Sequence, residues 1–172
     1  MSFVCRMCGK CCKDLVFHDN GILRGLTLLP EETKCFPEEL VKPYFGIGKR
    51  PYDPKFKVLA YQLTTPDCPH LVEDKCTNYE ERPVSCRQYP FSLDPDPEEV
   101  ALLGVDMNCS AAVELVSGSD GRIEFPNKES AEKLLELKKK ASENPRRSWL
   151  YDLEHNKWVR YDKLVRSPLL GS

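Results

Sequence analysis

Cys5, Cys8, Cys11 and Cys12 stand near the start of the chain as Cys-x-x-Cys-x-x-Cys-Cys, and Cys68, Cys76, Cys86 and Cys109 follow at wide intervals. Thiolates two residues apart on a tight turn can face one ion. Cys-x-x-Cys is therefore the basic ligand pair of zinc knuckles and of iron–sulfur sites. The chain is predicted to organise its fold around cysteine-held metal.

Cys5/Cys8 and Cys8/Cys11 repeat this spacing, as the bacterial ferredoxin run does up to its third cysteine. That run continues with three residues, a fourth cysteine and a proline, whereas here Cys12 is followed by Lys13, Asp14 and Leu15. The stretch is thus no ferredoxin motif by itself. Neighbouring side chains of an irregular segment tend to diverge, so Cys11 and Cys12 are expected to serve two different sites, and eight thiols divide into two fours. His70, two residues after Cys68, and His18 could each replace a thiolate in a Cys3His zinc site. Spacing leaves the metal open. Zinc would be a structural staple whose binding energy becomes folding energy, and a 4Fe-4S cluster would add redox activity.

At 172 residues and 41% hydrophobic, the chain is long enough for one domain with a real core. Its start, Met1-Ser2-Phe3-Val4-Cys5, has no basic stretch leading into an apolar one, and no run of about 18 apolar residues occurs. A cytoplasmic protein with no membrane association is the expectation. Reducing cytosol disfavours disulfides, and the count of nine cysteines is odd. Asn108-Cys109-Ser110 then matches a glycosylation sequon only formally. The formal net charge of −2 counts every cysteine as a neutral thiol. Eight thiolates holding two zinc ions would make the chain more acidic still, and Arg6, Lys10, Lys13, Lys75, Arg82 and Arg87 lie where they could compensate.

Along the chain, residues 3–13 read as a metal-binding knuckle in which Gly9 permits the turn. Asp14 to His18 reads as a short strand closed by Asp19-Asn20-Gly21. Thr27 or Leu29 leads Pro30, Glu31 and Glu32 into a helix, and Glu38 to Tyr44 is a second short helix ending before Gly46-Ile47-Gly48. Lys55 to Leu63 is a largely buried strand. Cys68 to Tyr79 is a hairpin turning near Glu73-Asp74-Lys75, which brings Cys68 and Cys76 together at its open end. Pro83 opens a helix that presents Cys86, Pro90 stops it, and Asp94-Pro95-Asp96-Pro97 is a stiff loop. Glu99 to Val105 is a strand leading to Cys109. Beyond it, Ser117 to Gly121 is a flexible turn and Asn127 caps a helix with apolar Ala131, Leu134, Leu135 and Leu137. Lys138 to Lys140 match the helix dipole. Trp149, Tyr151, Trp158 and Tyr161 form an aromatic hairpin packed on the domain or presented to a partner, and His155 within it receives no role. The fold class is α+β: a small metal-organised domain, 1–112, with short helices, hairpins and irregular cysteine-bearing loops, and a C-terminal helix and aromatic hairpin, 113–172, packed on it.

The run Cys5-Arg6-Met7-Cys8-Gly9-Lys10-Cys11-Cys12, the later Cys68-Pro69-His70-Leu71, and the stretch from Cys76-Thr77-Asn78-Tyr79 through Arg82-Pro83-Val84-Ser85-Cys86 to Tyr89-Pro90 together resemble the YkgJ-like cysteine-cluster family. The resemblance spans residues 3–110. It implies a zinc- or iron-chelating domain, with relatives fused into flagellin lysine N-methylases. It places the family's eight cysteines on Cys5, Cys8, Cys11, Cys12, Cys68, Cys76, Cys86 and Cys109. Cys35 falls outside the pattern and is expected to be a small core residue.

Three functions follow as expectations. The first is a metal-binding protein holding an iron–sulfur cluster, zinc or both, working in redox chemistry, metal handling or recognition of a protein partner. The second, through the resemblance, is a protein-lysine methylase needing S-adenosylmethionine and a cluster, although Gly46-Ile47-Gly48 is a poor nucleotide loop. The third is a structural zinc module whose aromatic C-terminal segment binds a partner. The acidic balance gives no nucleic-acid footprint.

Overall fold

The computed structural model describes residues 2–96, 102–120 and 122–164, the side chain of Leu102 excepted. The expected α+β class is what it shows, with short helices and small antiparallel sheets. Two compact units are present. One comprises residues 1–13 and 67–138, the other residues 14–66 and 139–172. This division does not follow the expected boundary at 112/113: residues 113–138 group with the first unit and residues 139–172 with the second. Chain segments distant in sequence build each unit together.

In the second unit a five-stranded antiparallel sheet runs in the order Lys157–Arg160, Ser148–Asp152, Val41–Ile47, Lys57–Leu63, Thr27–Leu28. Leu28, Phe45, Ala60 and Leu63 are buried in it. Ser148, Leu150 and Asp152 face inward with the alternation of a half-buried strand. Gln62 is fully buried, and its amide is nevertheless satisfied. Its oxygen accepts from Gly25 N at 2.8 Å, and its nitrogen donates to the Pro43 and Tyr151 carbonyls at 2.9 and 3.1 Å. One side chain thus ties three segments in place. A separate hairpin, Phe17–Asp19 with Ile22–Arg24, turns through Asn20 and Gly21, both at positive φ.

The predicted helix from Glu38 to Tyr44 is not formed. Only Glu38–Leu40 is a 3₁₀ turn, and Val41–Ile47 is a strand. Pro43 would break a helix interior, whereas a sheet accommodates it at the register shift between Pro43 and Phe45. The predicted start near Leu29 is realised as the 3₁₀ helix Pro30–Cys35, where Glu32 Oε2 accepts from Leu29 N at 2.9 Å. The aromatic hairpin extends the sheet rather than sitting on it. Trp158 makes edge-on contacts with Phe56 and Tyr151, at 5.0 and 5.4 Å between ring centroids. The glycines at 46 and 48 make room for the Phe56 ring, which an added Cβ at either position would strike.

In the first unit Phe91 is the buried centre of the hairpin Phe91–Asp94 with Leu102–Val105, meeting Phe3 and Phe125 at 5.6 and 5.5 Å. Leu93, Ala131 and Leu135 pack together, with Phe125 against them. The long helix Lys128–Glu143 is close to the expected one. Lys138, assigned to the helix dipole by the sequence, instead reaches the Leu93 carbonyl at 3.0 Å and Asp94 Oδ1 at 2.6 Å. The Asn127 side-chain amide donates to the Arg87 carbonyl at 3.2 Å. The helix Ser110–Gly118 went unpredicted where a flexible turn was expected from Ser117 onward. Asp106 launches it, taking Asn108 N on its carboxylate at 2.9 Å and Cys109 N on its carbonyl at 3.1 Å. Pro97, the early part of the expected strand from Glu99, and Gly121 lie outside the described residues. Among the described residues no helix is long and apolar enough to cross a membrane.

A Cβ at Gly25 would lie 1.6 Å from the Leu63 carbonyl oxygen. Gly25→Ala should therefore destabilise the fold by about 1–3 kcal/mol or more, as overpacking against a backbone that cannot yield. Urea denaturation followed by circular dichroism measures it, and an unchanged midpoint would contradict this packing.

Candidate metal centre

All eight cysteines of the sequence pattern fall in the first unit, and Cys35 alone falls in the second. Cys35 is half-buried at the end of a 3₁₀ helix, more accessible than the core position expected for it. None of the nine cysteines is in a disulfide. Cys12 and Cys109 are buried, Cys8 is exposed, and the others of the eight are half-buried.

The knuckle is made by backbone geometry. Met7 and Gly9 take positive φ values of 51° and 72°, and Lys10–Cys12 is a 3₁₀ turn closed by Cys12 N on the Gly9 carbonyl at 3.1 Å. Only glycine fits at position 9, because a Cβ there would meet the Asp74 carbonyl oxygen at 2.6 Å. Met7 N donates to Cys5 Sγ at 3.4 Å, the turn-to-sulfur bond that such knuckles supply. Lys13 pairs with Asp74 at 2.9 Å, so the knuckle is held against the tip of the next hairpin.

That hairpin, Leu71–Val72 with Lys75–Cys76, turns on Glu73 and Asp74 at φ 48° and 60°, two successive left-handed residues as a type I′ turn requires. Its expected position is correct. Cys76 pairs with Leu71 in the ladder, and Cys68 stands one turn earlier, its carbonyl accepting from Leu71 N at 3.0 Å. Cys68 N donates to the Cys12 carbonyl at 2.8 Å, which fixes the two segments side by side. Cys86 is presented by the helix Val84–Gln88, whose first turn closes on the Pro83 carbonyl at 2.9 Å. Cys109 is the N-cap residue of Ser110–Gly118.

The side chains of Cys11 and Cys12 converge, contrary to the divergence expected of neighbours, because the 3₁₀ turn folds them together. The Cys12 thiol is hydrogen-bonded to both Cys11 and Cys68. That bond is the main reason the Cys11 thiol is lowered to about 7 and the Cys68 thiol to about 6. Cys12 is pushed strongly upward by the same two partners and by burial. Burial pushes Cys86 up first, and the charges of Cys11, Cys68 and Cys76 push it further. Cys11, Cys12 and Cys68 thus interact with one another, and Cys86 lies in the field of Cys11, Cys68 and Cys76. Arg82 is the cation that favours the thiolate at both Cys11 and Cys86. Its guanidinium lies 3.6 Å from the Tyr79 ring centroid and donates to the Tyr79 carbonyl at 2.8 Å. Arg87 is used differently, donating to the Arg82 carbonyl at 2.6 Å.

The remaining thiols are linked more loosely. Arg6, paired with Glu114, lies in the field of Cys8 and Cys109. Tyr89, raised first by burial and then by Asp106, lies in the field of Cys109 and Cys11. His70, offered by sequence as a substitute ligand, favours the Cys68 thiolate electrostatically. His18 belongs to the second unit. Neither Glu114 nor Asp106 was visible as part of this neighbourhood from sequence, because the helix and turn that carry them were not foreseen.

The donor set fits a metal. A divalent cation can satisfy several thiolates at once, which hydrogen bonds between thiols cannot. The thiols are nevertheless spread more widely than a single closed ion would draw them, at about 3.8 Å between sulfurs for tetrahedral zinc. Among the described residues the three potential ligand atoms lying mutually within 4.8 Å are those of Asp152, Glu154 and His155.

These features define a cysteine-rich metal-binding domain built from two separated chain segments. The sequence model of the CxxCxxCC family, described as a proposed zinc- or iron-chelating domain, matches residues 4–113, and the chain belongs to that family. No curated protein and no solved structure matches the chain.

In the reduced, metal-free chain, alkylation by iodoacetamide should accelerate as pH rises through about 7 at Cys11 and about 6 at Cys68. Cys12 and Cys86 should stay slow until alkaline pH, as peptide-resolved mass spectrometry would show. Cys12→Ala removes the shared donor and should move both profiles back toward the ordinary thiol range. Unchanged profiles would mean that the Cys12 contact is not what holds them down.

Proposed function

We propose that this chain holds an iron–sulfur cluster or zinc through Cys5, Cys8, Cys11, Cys12, Cys68, Cys76, Cys86 and Cys109, and works in redox chemistry, metal handling or recognition of a protein partner. The observation that carries this reading is the mutual interaction of the Cys11, Cys12 and Cys68 thiols, with Cys86 in the field of Cys11, Cys68 and Cys76 and Arg82 beside Cys11 and Cys86. Bringing thiolates together costs electrostatic energy that a chain without metal gains nothing by spending. The confinement of all eight pattern cysteines to one unit supports the same ligand list.

An iron–sulfur cluster would supply one-electron transfer, and zinc would supply folding energy. The spread of the thiols favours the cluster, which separates its ligands further than one ion does. Arg82 and the turn N–H at Met7 would stabilise anionic sulfur in either case. Exposed Cys8, with Val4 and Met7 exposed beside it at 74% and 47%, would leave that edge reachable by a protein partner. The reading assigns the chain to the reducing cytoplasm, where thiolates remain available for metal.

Anaerobic purification followed by metal and acid-labile sulfide analysis tests the proposal. Stoichiometric iron with sulfide is the expected result, and a colourless zinc protein would select the structural alternative. A metal-free chain that keeps its fold under reducing conditions would overturn both. Cys12→Ser and Cys76→Ser should each lower bound metal, while Cys35→Ser should leave it unchanged. Stripping the metal with a chelator should lower the melting temperature, because the thiolates are then left to repel one another.

A further inference from the structure

Two of the three histidines of the chain lie against neighbouring carboxylates within the second unit, His155 against Asp152 and His18 against Glu154. Asp152 ends the strand Ser148–Asp152, buried, and the turn to Lys157–Arg160 follows it. Its Oδ1 accepts from Leu23 N and Glu154 N, both at 3.0 Å, and its Oδ2 lies 2.6 Å from His155 Nδ1. A hairpin turn could use that network for itself. It does not explain the Glu154 carboxylate, which stands with Asp152 and His155 so that ligand atoms of all three lie within 4.8 Å of one another. Nor does it explain His18, which arrives from a different hairpin with Nε2 3.6 Å from Glu154 Oε2.

With Nδ1 of His155 directed at a buried carboxylate, its Nε2 is the nitrogen left to bind outward. This is the carboxylate–histidine arrangement that fixes a ring for metal ligation. His18, Glu154 and His155 keep 69%, 52% and 59% of their side-chain surface exposed, so an ion can enter and water can complete its shell. Two imidazoles and a carboxylate are ligands for zinc-type divalent cations, and they offer no sulfur for an iron–sulfur cluster.

We propose that His155, Glu154 and His18 form a second, cysteine-free site for a divalent zinc-type cation, with Asp152 as the positioning residue that orients the His155 ring. This site is independent of the cysteine reading, and its ligands sort metals differently.

The test uses the full chain with its cysteine-bound metal already measured and saturated, to which zinc is then added near neutral pH. One further zinc per chain is expected by metal analysis, with the ring ¹⁵N signals of His155 and His18 shifting and that of His70 unmoved. Glu154→Gln keeps its main-chain bond to Asp152 and should weaken this zinc at least about tenfold. Asp152→Asn should weaken it about 10–100-fold and change the His155 tautomer signal. If Asp152→Asn does not fold, Glu154→Gln and the ring nitrogens of the unaltered chain decide. No zinc beyond the cysteine sites, or extra zinc undiminished by Glu154→Gln with both rings unmoved, would overturn the site and leave a hydrogen-bonded turn only.

Discussion

The bringing of Cys68 beside Cys12 and Cys11, fixed by the Cys68 N–H on the Cys12 carbonyl, is the constraint around which the first unit is arranged. Sulfurs in such proximity cannot all ionise in a half-buried setting without a cation. Arg82 provides part of that charge, held by the Tyr79 ring and carbonyl. The backbone carries the cost of assembly: left-handed Met7 and Gly9, the Cys68 N–H on the Cys12 carbonyl, and a type I′ turn with no glycine in it. Each is a conformational expense that makes sense when the sulfurs share a ligand.

The second unit stands on different physics. Its sheet is held by apolar burial and by Gln62, whose amide meets its hydrogen-bonding needs across three segments. Its polar chemistry, Asp152 with His155 and Glu154 with His18, uses oxygen and nitrogen where the first unit uses sulfur. The contrast gives one chain two chemically distinct neighbourhoods. Thiolates suit zinc or iron–sulfur centres, and imidazole with carboxylate suits zinc-type cations without sulfur.

What could be read in advance was local. The hairpin before Cys76, the helix opened by Pro83, the strand ending at Leu63 and the long helix from Lys128 follow from turn residues, proline placement and periodicity, and all are present within a few residues. The failures have physical causes of their own. Val41–Ile47 carries a proline that argues against a helix interior, but its partner strand lies elsewhere in sequence. Ser110–Gly118 has weak helical patterning, and Asp106, which starts it, lies just past the expected strand with nothing local to mark its capping role. Lys138 looked like a dipole-matched surface cation because nothing in sequence brings Asp94 to it.

The sequence by itself determined the chemistry: which cysteines belong together as a class, that Cys35 stands apart, and that the chain is a cysteine-cluster metal binder of the CxxCxxCC family. The cysteine pattern is legible in one dimension because spacing in a turn is a local property. Tertiary structure alone decided that Cys68 comes beside Cys12. It also decided that 1–13 folds with 67–138, and that His18 reaches Glu154. These depend on contacts between residues far apart in the chain, and no local preference of the backbone encodes them.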